Sequence, residues 1–344
     1  MTAPSNRVSS KSIADTVRNN LPGAMIAFII AAAAHYISSR LGGPVMLYAL
    51  LFGISLNFLS ADEKCMPGIC LASTSILRIG VALLGLQITW MEVASLGFST
   101  IILVIAGVVL TISGGVAIGR MLKLDRSLSF LTAGAVAICG ASAALAISSV
   151  LPSDNGNKKS LENNTLITVV GVTALSTIVM VIYPVVIETL GLDNITAGIF
   201  LGATIHDVAQ VIGAGYMVSQ ETGEIAAIVK LLRVACLVPA VMTIGFIFRK
   251  SAAANDENTT KPPIVPLFLV GFIVCVAIHS MALLPSGVEE ILADTSRWFL
   301  ITAVAALGMK TSLQKFFSLG LSPVLALVAQ TVLLATFVLA ALTL

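Results

Sequence analysis

The stretch from Gly198 to Met217 is apolar at both ends and carries Thr204, His206, Asp207 and Gln210 in its middle, with Gly202, Gly213 and Gly215 loosening the backbone. A carboxylate at the centre of a hydrophobic span costs a few kcal/mol, so it is kept there by a partner or by a task. Asp207 is therefore the first candidate for function, and with His206 beside it the pair suits a proton or sodium site. Its plain structural alternative is Asp207 capping a helix break, with His206 bonded to a carbonyl. A second signal lies downstream. Lys230 and Arg233 are three residues apart and share a helix face. Arg233 falls about nine residues, or roughly 14 Å, into its span, too deep to snorkel to the interface. Two cations at that depth suit a desolvated anion, with Asp207 expected to balance Arg233 when the anion is absent.

These residues need a scaffold, and composition says which. Of 344 residues 57% are hydrophobic and 10% charged, and mean hydropathy is +1.02, whereas a soluble domain carries about 25% charged residues. The chain reads as an all-α polytopic membrane protein. The alternating segments of an outer-membrane barrel are absent. Net charge is +2 with the basic residues in short loops, which excludes a nucleic-acid patch. Cys65, Cys70, Cys139, Cys236 and Cys275 show neither a disulfide framework nor ligand spacing, so no metal and no cofactor is expected. An intramembrane enzyme is not expected either: His-Glu-x-x-His and Gly-x-Ser-x-Gly do not occur, and one intramembrane Asp cannot form an aspartyl dyad.

Residues 1–20 read as a polar cytoplasmic arm and 21–344 as a single transmembrane domain. Apolar runs predict eleven spans, near 21–40, 44–60, 71–89, 97–119, 128–150, 165–187, 196–217, 224–248, 264–284, 297–313 and 321–343. With the N-terminus inside, the cytoplasmic segments hold twelve basic residues (Arg7, Lys11, Arg18, Lys64, Arg120, Lys123, Arg126, Arg249, Lys250, Lys261, Lys310, Lys315) and the outer ones four (Arg40, Lys158, Lys159, Arg297). If 128–150 and 196–217 both re-enter, Lys158 and Lys159 move inside and the count becomes fourteen to two. Charge counting does not separate the two arrangements. Both put the N-terminus in the cytoplasm and the C-terminus outside.

Two pairs of segments look alike. Arg78–Thr89 resembles Phe299–Thr311, and Gly134–Ala143 more loosely resembles Gly202–Gln210, as the inverted repeats of a transporter would. Spans 128–150 and 196–217 are rich in Gly, Ala, Ser and Thr, which allow close helix approach and also tolerate a break. Ile138–Ala144 is the expected break in the first, framed by Cys139, Gly140 and Ser142, with Ser148 and Ser149 as further hydroxyls. A broken helix turns free N–H groups and the positive end of its dipole toward the midplane, where an anion could sit. Arg78, read as snorkelling, and Lys310 are the charged members of the first pair. His35 and His279 read as interfacial, and Trp90 and Trp298 as outer belt residues.

Taken together, Gly202–Gly215, Ala137–Ala143, Arg78–Leu86 and Ala306–Thr311 resemble the YeiH-like family of bacterial inner-membrane proteins, often labelled sulfate exporters, over nearly the whole chain from about residue 21. The resemblance implies inverted repeats, a core with two discontinuous helices crossing near the midplane, and a panel domain. It also implies a secondary transporter exporting a small anion such as sulfate by alternating access. The substrate-binding candidates are then Cys139, Gly140, Ser142, Thr204, His206, Asp207, Gln210, Lys230 and Arg233. The alternative is a proton- or sodium-coupled carrier of an organic anion, with Asp207 and His206 as the coupling site. Membrane lipid is the other expected contact, and no motif decides between a monomer and a homodimer.

Overall fold

The computed structural model describes residues 13–152, 158–252, 267–311 and 319–343, which are helical almost throughout, with no strand among them. Of the expected arm, residues 1–12 lie outside the described residues, as do Lys261 and Lys315, while Ile13 to Asn20 is already helix. The helices are α1 (Ile13–Leu41), α2 (Val45–Ser55), α3 (Met66–Leu71), α4 (Leu77–Leu84), α5 (Trp90–Ser95) and α6 (Gly97–Met121). They continue with α7 (Arg126–Ala137), α8 (Ala141–Ser148), α9 (Lys158–Leu190), α10 (Asn194–Thr204) and α11 (Val208–Val218). The last are α12 (Gln220–Ala235), α13 (Leu237–Ala252), α14 (Leu267–Ser280), α15 (Ser286–Lys310) and α16 (Leu321–Thr343). A π-helical turn, Ala72–Ile76, joins α3 to α4. Among the described residues seven stretches are long and apolar enough to cross a membrane: Arg18–Leu41, Met66–Gln87, Gly97–Met121, Lys159–Leu190, Gln220–Phe248, Gly287–Lys310 and Leu321–Thr343.

Contacts at the helix ends define two faces. On the first, Asn164 at the start of α9 donates to Asp125 Oδ2 (2.8 Å), just before α7, and the Arg126 guanidinium lies 4.5 Å from the ring centre of Phe248. On the second, Asn194 at the start of α10 donates to Glu221 Oε2 (2.9 Å), and the Trp90 amide donates to Ser280 Oγ (2.9 Å).

The segments 126–148 and 194–218, expected as two of the eleven spans, turn back on themselves. Helices α7 and α8 fold on each other: Phe130, Leu131, Ile147 and Leu151 share one apolar cluster, and a Cβ on Gly134 would collide with the Ile147 side chain. Asp125 and Leu151, the two ends, therefore sit on the same face. In the second segment, contacts of α10 with α12 join Asn194 to Glu221, Gly198 to Ile225 and Gly202 to Val229. That constant offset means the two run parallel. Helix α11 packs on α12 the other way, Gly215 against Gly223 with Ser219 as the turn, so it must run antiparallel to α10. At 1.5 Å per residue these half-helices are about 12–18 Å long, half the hydrocarbon thickness. The two hairpins thus point toward each other from opposite ends of α9.

Their tips meet. A Cβ on Gly140 would lie 3.8 Å from His206. Gly140 has φ +63 and ψ −123, a conformation open to glycine and strained for other residues. Around this centre the spans pack through small residues, as membrane helices do. Gly53 of α2 faces Gly308 of α15 so closely that a Cβ on either would stand 3.0 Å from the other's Cα. Helix α15 also differs from its expected start near 297, because Ser286 to Ser296 is helical too. Trp298 and His35 lie against each other there, ring centres 5.1 Å apart.

Re-entry has a direct check. In a cysteine-free background, Lys123→Cys and Lys159→Cys should react with an impermeant maleimide from one side of the membrane, and Asn194→Cys and Gln220→Cys from the other. Labelling of Lys123→Cys and Lys159→Cys from opposite sides would mean that 126–148 crosses.

Candidate functional site

Each hairpin interrupts a helix at mid-depth, and an interruption leaves main-chain groups without partners. Helix α7 ends when Ile138 leaves helical geometry (φ −121, ψ −86), and α10 ends at extended Ile205 (φ −66, ψ 141). The carbonyls of Val136, Ala137, Ile138 and Ile205 are then orphaned where water is scarce, at several kcal/mol each if left so. One turn of α12 answers all four. Lys230 Nζ donates to Ile138 O (2.7 Å) and Ile205 O (2.9 Å). Arg233 donates from Nε to Ala137 O (2.6 Å), from Nη1 to Ile205 O (2.9 Å) and from Nη2 to Val136 O. The two side chains are 0% and 1% exposed. Their charges also face the negative dipole ends of α7 and α10. The shared helix face expected of Lys230 and Arg233 holds, and what it meets is backbone.

Asp207 does not balance Arg233. Among the described residues the contact found within 4.0 Å between a basic side chain and a carboxylate is His279 Nδ1 with Glu289 Oε1 (3.3 Å), far along the chain. Asp207 is instead the N-cap of α11: its Oδ1 accepts from Ala209 N (2.9 Å), and its own amide donates to Ser176 Oγ (3.2 Å). An extended residue before a helix turns its side chain onto the helix's first N–H groups. The carboxylate is consumed locally, which is the capping alternative read from the sequence, and it stays half-buried. His206 departs from the expected carbonyl bond, since its Nε2 lies 2.9 Å from Thr331 Oγ1 of α16. The Thr331 hydroxyl donates to Leu327 O (2.8 Å), so Nε2 carries the hydrogen in the contact with His206.

Gln210, one turn into α11, reaches α9: its Nε2 donates to Thr177 Oγ1 (2.6 Å) and Thr173 O (3.3 Å), while Oε1 is buried with no partner. Thr177 Oγ1 lies 3.4 Å from Thr311 Oγ1. Lys310, at the end of α15, donates to Ser73 Oγ (3.2 Å) in the π-helical turn, and Asn57 Nδ2 holds the carbonyls of Met309 (2.9 Å) and Thr311 (2.8 Å). Thr204 turns its hydroxyl back on Phe200 O (2.6 Å) within α10.

At the first tip Cys139 is buried, Gly140 is the N-cap of α8, and Ser142 is exposed. The N-cap Gly140 has no side chain with which to cap α8, and its own amide donates to Ala135 O (2.9 Å). Ser148 and Ser149 bond the carbonyls of Leu145 (2.8 Å) and Ala146 (2.7 Å) at the base of this hairpin, away from the tip. Arg78 lies exposed on α4, apart from the cluster. Among the described residues no three His, Cys, Asp or Glu side chains could hold a metal, and the five cysteines are free. Sequence reasoning passed over Thr331, Thr177, Ser176 and Ser73. A signal existed for some: Thr173, Ser176 and Thr177 recur at helical spacing, and Gln330-Thr331 is a polar pair inside an apolar span.

Removing the clamp should unfold the centre. Arg233→Gln is expected to lose about 2–5 kcal/mol, because buried acceptors are left unpaired, and Arg233→Lys should recover only part, lacking the planar fork. Melting curves of purified protein in detergent measure this; an Arg233→Gln variant that melts with the parent would refute the clamp.

Comparison with known proteins places this arrangement in a family. The sequence profile of conserved hypothetical protein 698 matches residues 22–327. The chain is 48% identical over 319 residues to the UPF0324 membrane protein CT0845 of Chlorobaculum tepidum, covering 92% of this chain and 88% of that protein. It is 44% identical to the UPF0324 membrane protein TauZ of Paracoccus denitrificans, covering 92% and 93%, and 35% identical to a UPF0324 membrane protein of Caulobacter vibrioides, covering 93% and 67%. On this profile and these relatives, the chain belongs to the UPF0324 membrane protein family.

Proposed function

We propose that this protein is a secondary transporter that exports a small anion, sulfate or an organic anion of similar charge, across the bacterial inner membrane by alternating access. The observation that carries the reading is the charge count at the tips. Lys230 and Arg233 are buried together without a carboxylate at ion-pair distance, and Asp207 is spent on a cap. A buried excess of positive charge attracts a mobile anion. The place for it is the start of α8 beside Cys139, Gly140 and Ser142, where the N-cap glycine brings no capping side chain and the two cations lie behind it. The second tip is closed to anions by Asp207, so the site is one-sided.

Re-entry of both hairpins favours the fourteen-to-two distribution of basic residues, which puts the first face and the N-terminus in the cytoplasm and the C-terminus in the periplasm. Export then needs no coupling ion. A divalent anion leaving an inside-negative cell gains about 4.6 kcal/mol per 100 mV, more than a thousandfold in gradient. A second reading, in which Asp207 and His206 couple transport to protons or sodium, is favoured by the half-buried Asp207 carboxylate, which has no ion-pair partner.

Uptake of radiolabelled sulfate into proteoliposomes under an imposed potential tests both. Potential-driven flux lost in Arg233→Gln and kept in Asp207→Asn is the expected result. Flux that requires a pH or sodium gradient and vanishes in Asp207→Asn would replace it with the coupled reading, and absence of sulfate flux under every gradient would remove sulfate as the substrate.

A further inference from the structure

We propose that the Lys230 ammonium is a built-in substitute for a coupling cation. In transporters with interrupted helices, mobile sodium ions or protons are commonly held by unwound carbonyls and by the C-terminal ends of half-helices, where the dipole is negative. This protein presents such a set of oxygens at the meeting point of its two hairpins, and a side chain already occupies it. Lys230 Nζ stands between Ile138 O at 2.7 Å and Ile205 O at 2.9 Å, one carbonyl from each tip, and is wholly buried. No carboxylate bonds to it among the described residues. The ammonium is a compact point charge on a flexible stem, the closest that a side chain comes to a small monovalent ion. Arg233 shares Ile205 O and takes the remaining carbonyls with its fork, so the cage is filled by two tethered cations.

The consequence is functional. A tethered cation joins the two tips in every turn of the cycle and contributes no ion gradient, which leaves the anion to move on the membrane potential or against another anion. A merely structural pin and a tethered coupling ion respond differently when the side chain is cut back. Lys230→Ala leaves a cavity lined by Ile138 O and Ile205 O, in which a free small cation can restore the charge. Lys230→Met removes the charge and keeps the volume, so it offers no room.

The experiment compares wild type, Lys230→Ala and Lys230→Met in matched concentrations of sodium, potassium, ammonium and choline chloride, reading melting temperature in detergent and sulfate flux in proteoliposomes. Wild type should be the same in all four salts. Lys230→Ala should melt roughly 5 to 10 °C lower in choline and regain most of that loss in one of the small cations, together with flux that tracks that cation's gradient. Lys230→Met should stay low in every salt. Equal melting of Lys230→Ala in sodium, potassium, ammonium and choline would overturn the proposal. So would a wild type whose melting or flux depends on sodium over choline, which decides the matter even if Lys230→Ala does not fold. The proposal rests on the carrier reading above, yet the melting measurement needs no substrate. A cation-responsive Lys230→Ala without sulfate flux would therefore fault the choice of sulfate and leave the cation cage standing.

Discussion

Four main-chain carbonyls that have lost their helical partners at mid-depth constrain the whole molecule. In water such groups are solvated at no cost, but in the bilayer interior each must be bonded within the protein. Val136, Ala137, Ile138 and Ile205 cannot be answered from within their own hairpins, because the chain reverses immediately after them. Only a third element with long cationic side chains can reach both tips. Helix α12 supplies it, and the five hydrogen bonds of Lys230 and Arg233 tie two hairpins from opposite ends of α9 into one centre.

The two tips are alike in construction and opposite in electrostatics. Both enter as a helix whose carbonyl end is neutralised by α12. On the way out they diverge. Helix α8 begins at Gly140, whose N-cap position offers no side chain, whereas α11 begins under the Asp207 carboxylate. Each uncapped N-terminus is worth about half a positive charge, and a carboxylate cap cancels it. The positive potential of the centre is thus directed toward the first tip. The neutral partners of the second tip, Thr331 for His206 and Thr177 for Gln210, fix its geometry without altering that balance.

Much of this was legible in the letters and some was not. Hydropathy gave the membrane class, and the Gly and Ala content of 128–150 and 196–217 gave the interruptions within a few residues of Ile138 and Ile205. Hairpin reversal was not readable, because a broken helix that continues and one that folds back have the same local composition. Only the basic residues Lys158 and Lys159 hinted at it. The partners of Lys230 and Arg233 were invisible for a deeper reason: they are backbone oxygens, and any residue type could have supplied them. Hydropathy also cut α15 short. Glu289, Glu290 and Asp294 look like a loop on a hydropathy scale, yet the helix from Ser286 carries them through to the apolar part.

Small residues on α10 make the clamp reachable. A lysine stem spans only a few ångströms beyond its own helix surface, so α12 must lie close against the hairpin for Lys230 to touch Ile205 O. Gly198 and Gly202 permit that: a Cβ on Gly198 would stand 2.6 Å from the Ile225 side chain, and one on Gly202 would stand 2.6 Å from Ala226 O. The two glycines recur every four residues along the face that α12 occupies, and the next turn of the same contact brings Ile205 opposite Lys230 and Arg233. Glycines that read as looseness in the sequence act here as a measure of distance. They set α10 against α12 at a separation at which a buried ammonium and a buried guanidinium arrive at carbonyl oxygens, and this fixes the height of the tip in the membrane.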